Sequence, residues 1–280
     1  MQNRTYAKEE LVRQLEQLNC PSGKIVLLHT SYRLVGSVDG GPQGLLDVLV
    51  DYFTRDGGLL CIPAHTWHNL GKEITLDMGS DDTCVGVLSR LALQDRRGIR
   101  SENPTHSMVV FGDRARALEL IKDEPELIYP TGPQSCYGKI CTEGGYVLLI
   151  GVTHNRSTCL HAAEEILGIP NRMAKKPCFA TVRRLSGDVV CREIYMHDND
   201  KNVEISTRYV KYDTPFRYHG CITDGFLGNA PVQLCDARKM MDTMALIAKN
   251  SNGKDPLLCD EKPIPQKWYC IKQFIEKPRR

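Results

Sequence analysis

The chain has 280 residues, 41% hydrophobic and 25% charged, with a formal net charge of +2, enough for one large α/β domain or two small ones. Its basic residues are spread out, so no concentrated basic face marks a nucleic-acid partner, and no stretch of ~18 apolar residues marks a membrane span. The charged N-terminus lacks the apolar core of a signal peptide, so a cytoplasmic location is expected. Leu11, Leu15 and Leu18 recur at helical spacing and predict a helix over 8–18. Pro21-Ser22-Gly23 ends it, and the branched run 24–29 predicts a strand buried on both faces. Gly40-Gly41-Pro42 opens the next helix, whose apolar side carries Leu45, Leu46, Val48, Leu49, Tyr52 and Phe53. The turn Asp56-Gly57-Gly58 and a strand over 59–62 complete a βαβ unit with right-handed crossover. Further helices are expected over 84–95, 114–122 and 158–167, and strands over 108–111 and 146–152. Ser186-Gly187-Asp188 between two β-rich runs predicts a hairpin. Asp236 caps a last helix over 237–249. The fold expected is α/β, a mostly parallel central sheet flanked by helices with an antiparallel hairpin elaboration in the C-terminal half. It forms one domain over 1–280, with a Pro- and Lys-rich tail from Asp255 as a loosely packed extension.

Twelve cysteines sit singly and no Cys-x-x-Cys pair occurs. Zinc sites and disulfide scaffolds use tighter patterns, so most of these cysteines read as small buried hydrophobes. The Gly-x-Ser-x-Gly elbow, the Walker loop and the dinucleotide glycine fingerprint are all absent.

Three strand ends carry polar residues toward the edge where open α/β sheets bind ligands. They are His29-Thr30-Ser31, Pro63-Ala64-His65-Thr66-Trp67 and Gly151-Val152-Thr153-His154-Asn155. The densest stretch runs from Gly151 into a helix on which His161 stands three residues before Glu164 and four before Glu165. That spacing shares one face. An imidazole beside a carboxylate holds one tautomer and serves as a base near neutral pH.

These segments resemble the aminoglycoside 3-N-acetyltransferase, or antibiotic acetyltransferase, family over about residues 5–250. The motifs are His29-Thr30-Ser31 with Gly40-Gly41, then Ile62-Pro63-Ala64-His65-Thr66-Trp67. Arg100-Ser101-Glu102-Asn103-Pro104-Thr105-His106-Ser107 comes next, followed by Thr131-Gly132 with Ser135, Tyr137 and Lys139. Gly151-Val152, Thr158, His161 and Glu164 make the last. Five motifs in order make the resemblance specific. Glu102-Asn103 and Ala64-His65 depart from residues usual in the family.

The resemblance implies direct acetyl transfer from acetyl-CoA to a small-molecule amine through a ternary complex, with no metal. His161 would be the base, and Glu164 would orient its ring or bind a cationic acceptor. Thr30, Ser31 and the backbone N–H groups around Ser107, Met108, Val109 and Val110 would hold CoA, and His29 would line the junction of the two substrates. Asp39, Trp67 and Glu165 would face the acceptor. Two other readings compete: a metal-dependent hydrolase using His65, His68, His154 and His161, and a non-catalytic relative that binds CoA or another ligand.

Overall fold

A computed structural model describes residues 4–19, 21–259 and 263–270. Helix α1 (Lys8–Gln17) leads into strand β1 (Ile25–Thr30), helix α2 (Gly41–Phe53) and strand β2 (Leu59–Pro63). Helix α3 (Val87–Gln94), strand β3 (Ile99–Arg100), strand β4 (Met108–Gly112) and helix α4 (Arg114–Ile121) follow. Then come helix α5 (Cys136–Thr142), strand β5 (Tyr146–Ile150), helix α6 (Thr158–Ile166) and the hairpin of β6 (Cys178–Arg183) and β7 (Val189–Ile194). A second hairpin, β8 (Ile222–Leu227) with β9 (Ala230–Asp236), precedes helix α7 (Ala237–Asn250). The side chain of Asp236 accepts the Lys239 N–H at 3.0 Å and so caps α7, as its sequence position predicts.

The main sheet has seven strands in the order β8-β9-β5-β1-β2-β4-β3. Only β1–β2 and β1–β5 are parallel; the other four neighbouring pairs are antiparallel. The α/β class holds, but the sheet is mixed rather than mostly parallel. Connection length accounts for part of this: parallel neighbours need a crossover of a dozen or more residues, which α2 supplies between β1 and β2. Strands β8 and β9 are joined across Gly228-Asn229 alone and can pair only antiparallel. The β6–β7 hairpin forms at the predicted turn, where the Gly187 N–H donates to Arg184 O, and lies in a separate small sheet with the short strand Leu76–Asp77.

Alternate side chains of β1 go to opposite faces, as the period-two geometry of a strand requires. Ile25 and Leu27 join a core beneath α4 to α7, while Val26 and Leu28 join one beneath α1, α2 and α3. The described part of the tail departs from the expectation of loose packing. Leu257, Leu258, Ile264, Trp268 and Tyr269 are all buried in the first of these cores. The Trp268 carbonyl accepts from Asn250 Nδ2 at 3.1 Å, tying the segment to the end of α7. Apolar residues spaced among the prolines and lysines provide that docking surface. Residues 260–262 and 271–280 of the tail lie outside the described residues.

Candidate active site

A cavity of about 620 Å³ opens beyond the carboxyl ends of β1, β2 and β5. Strand β1 delivers His29 and Thr30 to it, β2 delivers Pro63 and, just beyond, His65 and Trp67, and the turn after β5 delivers Asn155 to Thr158. Gly151 makes that turn with φ +64, and a Cβ there would stand 3.0 Å from Leu34 Cβ. Because β4 runs antiparallel to β2, its N-terminal end faces the same edge, which brings His106 to the cavity. Helix α6 contributes His161, and the segment after β7 contributes His197. Five of the eight histidines thus line one cavity.

Burial holds these rings neutral. It pulls His29 and His161 down to about 3 and His106 to about 4, and leaves His65 and His197 well below the ordinary imidazole range. Each ring is also fixed. His29 Nε2 accepts the Thr158 N–H at 3.4 Å, His65 Nε2 lies 2.8 Å from the Tyr137 hydroxyl, and His106 Nδ1 lies 2.9 Å from Thr105 Oγ1.

His161 and Glu164 are linked, but not directly. The Tyr209 hydroxyl stands between them, 2.8 Å from His161 Nδ1 and 2.7 Å from Glu164 Oε2. A hydroxyl carries one proton. Donating it to the carboxylate leaves the Tyr209 oxygen to accept from His161 Nδ1–H, so Nε2 keeps its lone pair. Burial raises Tyr209 well above the ordinary phenol range, with Glu164 adding to the effect, so it stays a phenol. Glu164 in turn accepts Arg172 Nε at 2.6 Å, and Arg172 donates to both oxygens of Asp255 at 2.7 and 2.9 Å. Burial pushes the Glu164 carboxyl up, against the pull of Arg172 and Tyr209. Burial acts on Asp255 in the same sense, but the hydrogen bonds from Arg172 overcome it and hold Asp255 low.

Other expected site residues fall elsewhere. Glu164 is itself buried and does not line the cavity. Glu165 turns away from the cavity and accepts a short hydrogen bond from Thr131 Oγ1. Asp39 is exposed just ahead of α2, and neither it nor Ser31 lines the cavity; the Ser31 N–H donates to Ile150 O at 2.8 Å. The Met108, Val109 and Val110 segment lies inside the sheet between β2 and β3 and is not open to a ligand. The Met108 N–H already donates to Ser101 Oγ at 3.0 Å, and Ser107 Oγ donates to Ala64 O at 2.6 Å. A strand with neighbours on both sides has spent its backbone donors, and none of these four residues lines the cavity. Trp67 does line the cavity and is 47% exposed, at its mouth.

Two buried hydroxyls at the cavity wall, Thr30 Oγ1 and Ser157 Oγ, have no hydrogen-bond partner. Ser157 precedes α6 without capping it, so its buried hydroxyl is left without a partner inside the protein. Arg156 adds a cation, and Asp198 and Glu204 add exposed carboxylates at the rim.

Sequence reasoning missed His197, Tyr209, Arg172 and Asp255. His197 had a signal, since it follows a strand as the other site histidines do. The spacing of Ile205, Tyr209, Tyr212 and Phe216 marks a helical stripe but says nothing of the Tyr209 hydroxyl. Of the four histidines in the metal reading, His154 packs on Phe216 with ring centroids 5.2 Å apart, and His68 pairs with Asp82 at 3.3 Å. Among the described residues no three His, Cys, Asp or Glu side chains gather as a metal-ligand set.

One large cavity at a sheet edge, apolar at its base and ringed by fixed, neutral histidines, is the architecture of a small-molecule α/β enzyme. The model of the aminoglycoside 3-N-acetyltransferase family matches residues 27–248, and the chain belongs to that family. Membership makes it an acetyl-CoA-dependent N-acetyltransferase. It is 29% identical to aminoglycoside N(3)-acetyltransferase IV of a Salmonella species over 254 residues, 90% of either chain. Among solved structures it is similar to a histidine-to-alanine mutant of aminoglycoside acetyltransferase AAC(3)-IVa in complex with a gentamicin. That likeness has a TM-score of 0.76 and 25% identity, over 90% of this chain and 92% of that one. It shares its fold with AAC-IIIb bound to CoASH, with a TM-score of 0.70 and 22% identity over 85% of this chain and 94% of that one. Among the described residues no helix is long and apolar enough to cross a membrane.

Proposed function

We propose that this enzyme acetylates an amine of an aminoglycoside, with His161 as the general base. The observation that carries the reading is the Glu164–Tyr209–His161 chain, which presents Nε2 of a neutral imidazole to the cavity. Acetyl-CoA supplies an activated acetyl thioester. An amine attacks such a group only when it has lost its extra proton, and His161 Nε2 is placed to take that proton. Glu164, Arg172 and Asp255 together carry one net negative charge, which offsets the imidazolium that results. Tyr209 holds the ring in the tautomer the reaction needs. Thr30 and Ser157 bind the donor through hydroxyls that have no partner inside the protein, and the Asp198 and Glu204 carboxylates at the rim meet the acceptor's ammonium groups, with Trp67 beside them. This reading places the reaction in the cytoplasm.

The test is purified full-length protein with acetyl-CoA and a gentamicin-type drug, following thiol release and product mass. The expected result is one CoA thiol freed for each acetyl group found on the drug. Thiol release at the buffer rate across aminoglycosides, with other amines turned over, would leave an acetyltransferase with a different acceptor. An unchanged rate for every amine would remove the reading.

A further inference from the structure

The ring of His161 is covered on one side by that of His197, with centroids 4.0 Å apart and planes inclined by 25°. His197 has its own anchor, built like that of His161. Thr131 Oγ1 lies 2.9 Å from His197 Nε2 and donates to Glu165 Oε1. Having spent its one proton on Glu165, the Thr131 oxygen accepts from His197 Nε2–H. Two adjacent carboxylates of α6 therefore each reach an imidazole through an intervening hydroxyl, Glu164 by Tyr209 and Glu165 by Thr131, and the two imidazoles meet face to face.

We propose that His197 is a positioning residue for the base: anchored by Thr131 and Glu165, it stacks on His161, fixes the plane of that ring and keeps it unprotonated between turnovers. The proposal rests on His161 being the base. Two imidazolium rings in face contact repel strongly, so near neutral pH the pair carries at most one positive charge. The stack also removes water from one face of His161, which disfavours the charged ring further. The titratable groups facing the pair are His106 and Glu165 toward His197, and His65, His106, Tyr209, Glu164 and Arg172 toward His161. No acidic group contacts the imidazole edge of His161 directly; Glu164 acts on it only through Tyr209.

The experiment is a ring-nitrogen NMR titration of histidine-labelled full-length protein without substrates, paired with the pH profile of acetyl transfer. In the wild type His161 should be an Nδ1–H tautomer titrating far below neutrality. In His197→Ala its midpoint should rise by about one pH unit or more, and the acidic limb of kcat should move up with it. His197→Phe restores an aromatic face and should bring the midpoint back down. Thr131→Val should release the His197 tautomer while leaving that of His161 in place. A His161 midpoint that is the same in folded His197→Ala as in the wild type overturns the proposal. If the alanine variant does not fold, the phenylalanine and Thr131→Val variants decide, an unchanged His197 tautomer in Thr131→Val being equally fatal. The titration is read on the protein alone, so it judges the stack whether or not an aminoglycoside proves to be the acceptor.

Discussion

Glu164 and Glu165 are neighbours on one helix, both buried, yet their surroundings give them different chemistry. Glu164 meets the guanidinium of Arg172, itself clamped by Asp255, so its charge has a partner. Glu165 has Thr131 and a neutral His197 for company, and among the described residues no lysine or arginine pairs with it. Burial raises both carboxyls; on Glu164 Arg172 and Tyr209 oppose it, whereas on Glu165 only the Thr131 hydrogen bond does, and Glu165 is raised to about 7. The contrast shows that on a helix packed against a site, a carboxylate's role depends on whether a cation arrives from another part of the chain. Here that cation comes from the loop after α6, and its second carboxylate from the tail.

The largest effect that would test the contrast is loss of the group at the end of the Glu164 arm. A general base contributes ~10²–10⁴-fold, so His161→Ala should lower single-turnover acetyl transfer by about that factor while CoA affinity stays. Thermal unfolding on the same sample separates the alternative: a destabilised variant that still turns over at the wild-type rate would move the search to His29 and His106. Next comes the cation. Arg172→Met strands the Glu164 and Asp255 carboxylates without a partner, and should cost about 3–5 kcal/mol in urea unfolding. A loss below about 1 kcal/mol would mean that the Glu164 charge is not held by Arg172.

The smallest effect concerns pH. The folded value of Glu165, about 7, lies above its ordinary 4.5. The fold therefore binds the Glu165 proton more tightly than the unfolded chain does. That contribution is fully present below about pH 4.5 and is lost as pH rises through 7. It amounts to at most about 3 kcal/mol by pH 8. Glu165→Gln should remove that slope, so stability measured from pH 5 to 8 should fall less steeply than in the wild type. Parallel curves for the two proteins would show that Glu165 ionises as an exposed carboxylate does.

Much of the framework was legible in advance because its signals are local. The apolar run of β1, the proline and periodic stripe of α2, the turn at Ser186-Gly187 and the Asp236 cap each act within a few residues, and each forms where expected. Thr158 and His161 of the last motif sit on α6 at the cavity, with Glu164 buried behind them. One error came where backbone groups were counted as free. Met108, Val109 and Val110 seemed available as donors only because the sequence does not show that β4 has neighbours on both sides.

By itself the sequence determined the α/β class, the strand ends that build the site and the helix that carries His161, since hydrophobic period, turn chemistry and motif order are properties of short segments. Tertiary structure alone decided that β4 runs antiparallel and so brings His106 to the cavity. It also decided that Tyr209 stands between His161 and Glu164, that Arg172 and Asp255 meet behind them, and that His197 lies on the face of the base. These contacts join residues 8 to 83 positions apart. Helical spacing places two side chains on one face, but only the packing of the whole chain determines what comes between them.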